Sequence, residues 1–187
     1  IAFGTVEPDA QHARLMREGF APLDPVALQR AIETPDGPRT ARFSVVRTAA
    51  GAMPEGRVQF VEHKTPEYLW QARWISHPNT AYALTRVHLC VADPAEAVAR
   101  FARYTGLPAT TINDAPGIAG ARGDLVFRDA AAMKAAFGIA PPALPWIAGY
   151  TLACRDLTKV PAGRETAHKR VVVPSPALGG VIEFEEI

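Results

Sequence analysis

The chain has 187 residues, a formal net charge of +1 and 48% hydrophobic residues, which suits one large domain or two small ones. Its charged residues are dispersed, so nothing indicates a nucleic-acid-binding surface, and no apolar run approaches the roughly 20 residues of a membrane span. Its two cysteines lack the CxxC spacing of a zinc site, so we expect buried thiols in a reducing cytoplasm.

The first stretch of the chain predicts a β-α-β-β-β unit over residues 1–66. Its predicted elements are a strand and a helix within residues 1–20, followed by strands over residues 26–33, 40–48 and 57–63. In the last of these strands, Gln59 and His63 are four residues apart and therefore share one face. A connector over residues 67–83, rich in aromatic residues and histidine, follows.

The second stretch, residues 84–187, restarts with the same order of elements. Residues 87–91 alternate between apolar and polar positions as a strand does, and Asp93-Pro94 opens a helix that Gly106 ends. The residues 140–145 form a proline-rich linker. The other predicted elements are strands over 109–112, 124–128, 150–156, 170–173 and 181–185, a turn over 114–117, and a short helix over 130–137.

These units form an internal repeat. Residues 3–20 are similar to residues 87–107. A third, degenerate copy begins at Tyr150, and Pro161 and Gly163 interrupt the segment where its helix would lie. The alternative is a chance likeness among strand–helix units. The repeat predicts an α+β fold of tandem βαβββ modules with curled sheets and few helices.

This pattern resembles the vicinal oxygen chelate superfamily, which includes glyoxalases, bleomycin-resistance proteins and extradiol dioxygenases. The similarity lies in the two strand-to-helix openings and in the closing strand at residues 180–184. The connector residues 62–67, Trp70 and His77-Pro78-Asn79 resemble a narrower group of glyoxalase-like domain proteins. The resemblance implies that paired modules curl mixed sheets around a cleft. It also implies a divalent metal ion there, such as Fe, Mn, Zn, Ni or Mg, held by the first and last strands of the modules.

The resemblance implies a partial set of metal ligands in this sequence. The ligand position of the last strand falls on Glu183, and its counterpart in the first module is Gln59. The usual first-strand ligand position holds Arg86, and His88 lies two residues further on the same strand face. His63 is a fourth candidate ligand. The alternatives are that His88 is a buried imidazole bonded to a backbone carbonyl and that Glu183 is a solvated carboxylate.

The connector is the second candidate region for chemistry, because small-molecule sites combine aromatic walls with a few polar groups. His63 is the candidate catalytic residue, since a histidine serves as a general base near neutral pH. The alternative is that the aromatic residues only hold the connector against two modules, with His77-Pro78-Asn79 as a turn. The candidate substrate-binding residues are Tyr68, Trp70, Trp74, His77, Asn79 and Arg86.

Two functions remain open. The first is a metal-dependent enzyme, a lyase, isomerase or dioxygenase, in which the metal polarises the oxygens of a small oxygenated metabolite. The second is a module that binds or sequesters a small molecule without metal or turnover, which Arg86 favours. A small molecule is the expected partner in both cases, and a homodimer stays open. Because Ile1 lies inside a predicted strand, we expect the natural polypeptide to extend further toward its N-terminus.

Overall fold

The computed structural model describes residues 1–166, 169–172 and 179–187, so residue 173 of the predicted strand lies outside the described residues. The chain divides into two compact units, residues 1–75 and residues 76–187. Each unit has its own sheet, and each is described by itself below.

The first unit is a four-stranded mixed sheet with one helix on one face. Its strand order is β1-β4-β3-β2, with β1 parallel to β4 and the other neighbours antiparallel. Helix α1 buries Leu15 and places Arg14 over the ring of Phe60, 5.6 Å from its centroid. Because side chains alternate along a strand, the β4 residues on either side of Phe60 face away from α1. The elements are β1 (Ala2–Gly4), α1 (Pro8–Arg17), β2 (Val26–Thr34), β3 (Gly37–Arg47), β4 (Gln59–His63) and two 3₁₀-helices (Pro66–Tyr68 and Ala72–Trp74).

The second unit is an eight-stranded sheet with the order β10-β11-β12-β9-β5-β8-β7-β6. None of the helices in the described part of the chain has the length and apolar character that crossing a membrane requires. The elements are β5 (Ala81–Cys90), α2 (Pro94–Thr105), β6 (Ala109–Ile112), β7 (Ala115–Ile118), β8 (Asp124–Arg128), α3 (Ala130–Phe137), β9 (Trp146–Cys154), a 3₁₀-helix (Leu157–Lys159), β10 (Arg164–Thr166), β11 (Lys169–Val172) and β12 (Val181–Glu186).

The same strand order occurs three times in the chain. In each copy the first strand runs parallel to the last, as β1 does with β4, β5 with β8 and β9 with β12. The antiparallel pairing of β5 with β9 then joins two copies into the sheet of the second unit. In the third copy the 3₁₀-helix Leu157–Lys159 stands where the other copies have α1 and α2. The predicted α+β fold of βαβββ repeats with mixed sheets is therefore confirmed.

Helix α2 decides which face of the second sheet is available for a site. As predicted, Asp93 caps the helix, because its Oδ1 accepts hydrogen bonds from the N–H groups of Ala95 and Glu96 at 2.9 and 3.1 Å. Phe101 of α2 packs on Phe127 of β8, with 5.1 Å between the ring centroids. The residues that alternate with Phe127, including Arg128, therefore face away from α2.

The sequence-based assignment was wrong around residues 114–117. Residues 115–118 form strand β7, and the turn lies at Asn113-Asp114, where both residues have positive φ angles. Pro116 and Gly117 made the segment resemble a turn. Burial of the β7 residues Ala115 and Ile118 favours a strand instead.

A close approach of two strands depends on Gly149, which pairs with Val181. A Cβ atom at Gly149 would lie 2.0 Å from the carbonyl oxygen of Val181. We expect Gly149→Ala to lower the free energy of unfolding by about 1–3 kcal/mol through overpacking, measured by urea denaturation. The matched control is Gly4→Ala, because that strand position has no atom within 4 Å of the added Cβ. Equal losses in the two variants would contradict this reason.

Candidate functional site

A chain of buried polar side chains crosses the sheet of the second unit from β8 to β12. Arg128 Nη1 lies 3.2 Å from His88 Nδ1, and His88 Nε2 lies 2.8 Å from the hydroxyl of Thr151. That hydroxyl donates a hydrogen bond to Glu183 Oε2 at 2.8 Å. His88 is 1% exposed, Glu183 7% and Arg128 9%, so these hydrogen-bonded side chains are almost completely shielded from solvent.

The chemistry of these groups fixes the direction of the hydrogen bonds. A guanidinium only donates, so His88 Nδ1 accepts the bond from Arg128 and the ring proton lies on Nε2. The Nε2–H group then donates to Thr151, whose hydroxyl donates to Glu183. Burial, with the charges of Arg128, Arg86 and Lys169, lowers the pKa of His88 to about 3. His88 is therefore a neutral imidazole near pH 7.

Two cations neutralise the carboxylates at the Glu183 end of this hydrogen-bonded series. Arg86 Nη1 lies 2.6 Å from Glu185 Oε2 and 3.7 Å from Glu183 Oε2. Lys169 Nζ lies 3.3 Å from Glu185 Oε1 and 3.7 Å from Glu183 Oε2. Burial opposes ionisation of Glu185, but the hydrogen bond and charge of Arg86 and the charge of Lys169 outweigh it and lower its pKa. Each cation therefore contacts both carboxylates.

An aromatic ring from α3 covers the other end of this hydrogen-bonded series, at His88 and Arg128. The ring of Phe137 lies 4.8 Å from the His88 ring, centroid to centroid, at an interplanar angle of 61°. The guanidinium carbon of Arg128 lies 5.5 Å from the centroid of the same phenyl ring. Phe137 is buried, as is its neighbour on the helix, Met133. This cover excludes water from His88.

The donor set of the second unit does not fit the divalent metal ion that the resemblance implies. Both nitrogens of His88 are engaged in hydrogen bonds, and the carboxylates of Glu183 and Glu185 are already paired with Arg86 and Lys169. A divalent ion beside Glu183 would also lie close to these two cations, which repel it. Within the described ranges, no three or more His, Cys, Asp or Glu side chains are grouped as metal ligands.

The first unit brings together a different set of predicted site residues. Gln59 is half-buried and His63 is exposed, and both face away from α1. The imidazole of His63 lies edge-on to Phe43, with 5.3 Å between centroids, and stacks with Trp70 at 6.2 Å and 19°. Trp70 is 56% exposed. Phe43, His63 and Trp70 therefore form an aromatic cluster in the first unit.

The remaining predicted residues lie in other surroundings. Tyr68 is in the first 3₁₀-helix, and Trp74 is in the second, where the guanidinium of Arg73 lies 4.6 Å from its ring centroid. His77 and Asn79 belong to the second unit, where they line a shallow groove of about 220 Å³ that also includes Tyr82 and Leu84.

The sequence contained a signal for one of the missed residues. His88 stands five residues before Asp93, and Thr151 stands five residues before Asp156. Asp156 caps the 3₁₀-helix of the third copy through a hydrogen bond from Thr158 N–H, as Asp93 caps α2. The same offset would therefore have identified Thr151 as the partner of His88. No comparable signal marks Arg128 or Lys169.

The comparison with known protein families is consistent with the repeated strand order. The residues that match include the first copy and the connector that follows it. The glyoxalase-like domain family matches residues 1–105, which is more than half of the chain. The chain belongs to the glyoxalase-like domain family. This family places it in the vicinal oxygen chelate superfamily, so the predicted relationship is confirmed. No curated protein is significantly similar to the chain.

Solved structures share the glyoxalase-like fold at low sequence identity. A hypothetical protein from Staphylococcus aureus matches with a TM-score of 0.63 and 10% identity, covering 100% of this chain and 65% of that one. The Mn(II)-bound glyoxalase from Novosphingobium aromaticivorans matches with a TM-score of 0.52 and 14% identity, covering 100% and 62%. This glyoxalase-like chain therefore spans less than two thirds of the length of either protein. Methylmalonyl-CoA epimerase from Mycobacterium tuberculosis matches over 62% of the chain at 18% identity and a TM-score of 0.45.

Proposed function

We propose that the chain is a small-molecule-binding protein of the vicinal oxygen chelate superfamily and that its ligand is a small organic anion with a flat apolar body. The proposed site lies in the first unit, on the sheet face away from α1. We call it the β3–β4 face and define it by three cross-strand pairs. These pairs are Phe43–His63, Val45–Val61 and Arg47–Gln59.

One end of the β3–β4 face is aromatic. Phe43, His63 and Trp70 form a cluster in which the imidazole lies between two aromatic rings. Trp70 and His63 are both exposed, so a planar molecule can contact the solvent-facing side of this cluster. Aromatic rings prefer offset stacking with a second flat group, which contributes about 0.5–1.5 kcal/mol beyond area burial. This end suits the apolar body of the proposed ligand.

The other end of the β3–β4 face is cationic. Arg47 is half-buried, and among the described residues its buried Nε atom has no hydrogen-bond partner. A buried donor without a partner is costly, and a carboxylate oxygen would remove that cost with a charge-assisted hydrogen bond. Arg30 adds a second positive charge to the same face but at its aromatic end, 5.9 Å from the ring centroid of Phe43. None of the strand positions on this face of the first unit holds Asp or Glu, which supports an anion.

The metal-dependent lyase, isomerase or dioxygenase activity that the resemblance implies has less support on this face. Gln59 and His63 are four residues apart on β4, which is about 13 Å at the usual strand rise. One ion cannot bind both side chains over that distance in a straight strand. We therefore rank ligand binding ahead of metal chemistry and assign His63 to the aromatic wall of the site.

The test uses 4-phenylbenzoate, a flat anion long enough to extend between the two ends of the face, and 4-phenylbenzyl alcohol as its neutral analogue, with binding measured by isothermal titration calorimetry. We expect the chain to prefer 4-phenylbenzoate and Arg47→Gln to weaken its binding about 10–100-fold, the effect of one charged hydrogen bond. We expect His63→Ala to abolish binding and leave the melting temperature nearly unchanged, because the side chain is exposed. The matched control is Arg42→Gln on the same strand, whose side chain points to the opposite face.

Two results would contradict this proposal. The first is equal 4-phenylbenzoate affinity in the Arg47→Gln and Arg42→Gln variants. The second is unfolding of the His63→Ala variant while its residual native fraction still binds 4-phenylbenzoate, which would make His63 structural. A stoichiometric divalent ion that is lost in His63→Ala would instead support the metal-dependent enzyme.

A further inference from the structure

Charged side chains lie at both ends of the hydrogen-bonded series from Arg128 to Glu183, on the face of the second unit away from α2. Arg86, Arg128 and Lys169 carry positive charge, Glu183 and Glu185 carry negative charge, and all five are buried or half-buried. We propose that Arg86 and Lys169 are resident cations, which neutralise the carboxylates on this face of the sheet in place of a divalent metal ion. The proposal concerns the second unit and is independent of anion binding by the first.

The distances show that the two resident cations together neutralise both carboxylates, as one divalent metal ion would. Both contact Glu185 at 2.6 and 3.3 Å, and both lie 3.7 Å from the same oxygen of Glu183. A divalent ion would hold two carboxylates together by charge in the same manner. The carboxylate pair thus has its counter-charge from the chain itself, supplied by β5 and β11.

The remaining ligand-type groups are occupied as well. His88 would have to release the bond from Arg128 or the bond to Thr151 before either nitrogen could coordinate an ion, because both nitrogens are engaged. Thr151 would lose its acceptor if Glu183 turned toward an ion. Coordination would also require entry past Phe137, which covers His88. These features oppose coordination by His88 and Thr151, so the carboxylates of Glu183 and Glu185, which the resident cations contact, are the groups left for an ion.

The repeat shows that the substitution lies at a defined position. Thr151 pairs with Glu183 in the third copy, and His88 pairs with Val126 in the second. Of these four positions on paired first and last strands, only His88 and Glu183 hold metal-ligand side chains. Two ligands are too few for a closed protein site, and the resident cations make even this pair unsuitable.

The experiment compares the wild-type chain with a variant that lacks both resident cations. We expect the melting temperature of the wild type to be the same in EDTA and in Mn²⁺. Arg86→Met/Lys169→Met leaves Glu183 and Glu185 unneutralised, so we expect a lower melting temperature that saturating Mn²⁺ raises by roughly 5 °C. The matched control is Arg155→Met/Lys159→Met, which removes the same charge elsewhere in the second unit and should not respond to Mn²⁺.

Two outcomes would overturn the proposal. One is a wild-type chain that binds one equivalent of Mn²⁺ and loses it in Glu183→Gln. The other is a folded Arg86→Met/Lys169→Met variant that is indifferent to Mn²⁺. If that variant does not fold, an NMR experiment on the wild-type chain tests the proposal instead. Mn²⁺ should leave the His88 Hε1 signal sharp, and paramagnetic broadening of that signal would refute the proposal.

Discussion

Replacing Glu183 with alanine is expected to lower the free energy of unfolding by about 3–5 kcal/mol, the cost of breaking a buried charged pair. The substitution removes the acceptor of the Thr151 hydroxyl and one of the two carboxylates that neutralise Arg86 and Lys169. Glu183 is 7% exposed, so water cannot replace the missing oxygen atoms. Urea denaturation followed by circular dichroism measures the change.

Glu186→Ala is the control for that experiment, because Glu186 lies on the same strand and is exposed. Its loss is expected to cost less than about 1 kcal/mol, as for most surface substitutions. Glu183→Gln should lie between the two, since an amide oxygen still accepts from Thr151 but does not neutralise the cations. Similar decreases in the free energy of unfolding for Glu183→Ala and Glu186→Ala would show that the buried hydrogen-bonded series contributes little to stability.

The second large effect is a dependence of stability on pH that comes from His88. In the unfolded chain the imidazole binds a proton below its ordinary pKa of 6.5, whereas in the folded chain its pKa is about 3. The unfolded state therefore binds more protons between these two values, and stability falls as the pH decreases. At roughly 1.4 kcal/mol per pH unit for one proton, the loss between pH 6.5 and pH 4 is about 3 kcal/mol.

His88→Gln tests this dependence, because a glutamine oxygen can accept from Arg128 while its amide group donates to Thr151. We expect the free energy of unfolding of this variant to decrease less than that of the wild type between pH 7 and pH 4. Glu185, whose pKa is lowered, titrates in both proteins and cancels in the difference. His77→Gln is the control and should keep the wild-type profile. Parallel curves for His88→Gln and the wild type would exclude His88 as the cause.

The order of elements could be predicted from the sequence because the signals for it are local. Asp93-Pro94 and Gly106 mark the ends of α2, and the same spacing recurs in the repeat. Strands β7 and β10 were missed because they are short, and β7 carries Pro116 and Gly117. Local patterns therefore predict the repeat well and its shortest strands poorly.

The contents of the site could be predicted only in part, because its contacts join residues distant in sequence. His88 and Glu183 were candidates from the resemblance, but their link through Thr151 depends on the pairing of β5 with β9. That pairing contains register shifts, which no local pattern reveals. Lys169 and Arg128 had no signal, since a charged residue on a strand is usually solvated. The sequence predicted candidate ligands, and the fold shows which cations neutralise them.

The pairing of β5 with β9 also has a consequence for folding kinetics. Each copy in the second unit closes on itself by pairing its first strand with its last, whereas the β5–β9 ladder joins residues as distant as Ala81 and Cys154. Contacts of such long range form slowly, because loop closure costs entropy before any contact compensates it. We therefore expect the two copies to collapse separately and the His88–Thr151 hydrogen bond to form late in assembly. Substitutions at this ladder should then act mainly on the unfolding rate, which sets the lifetime of the native state.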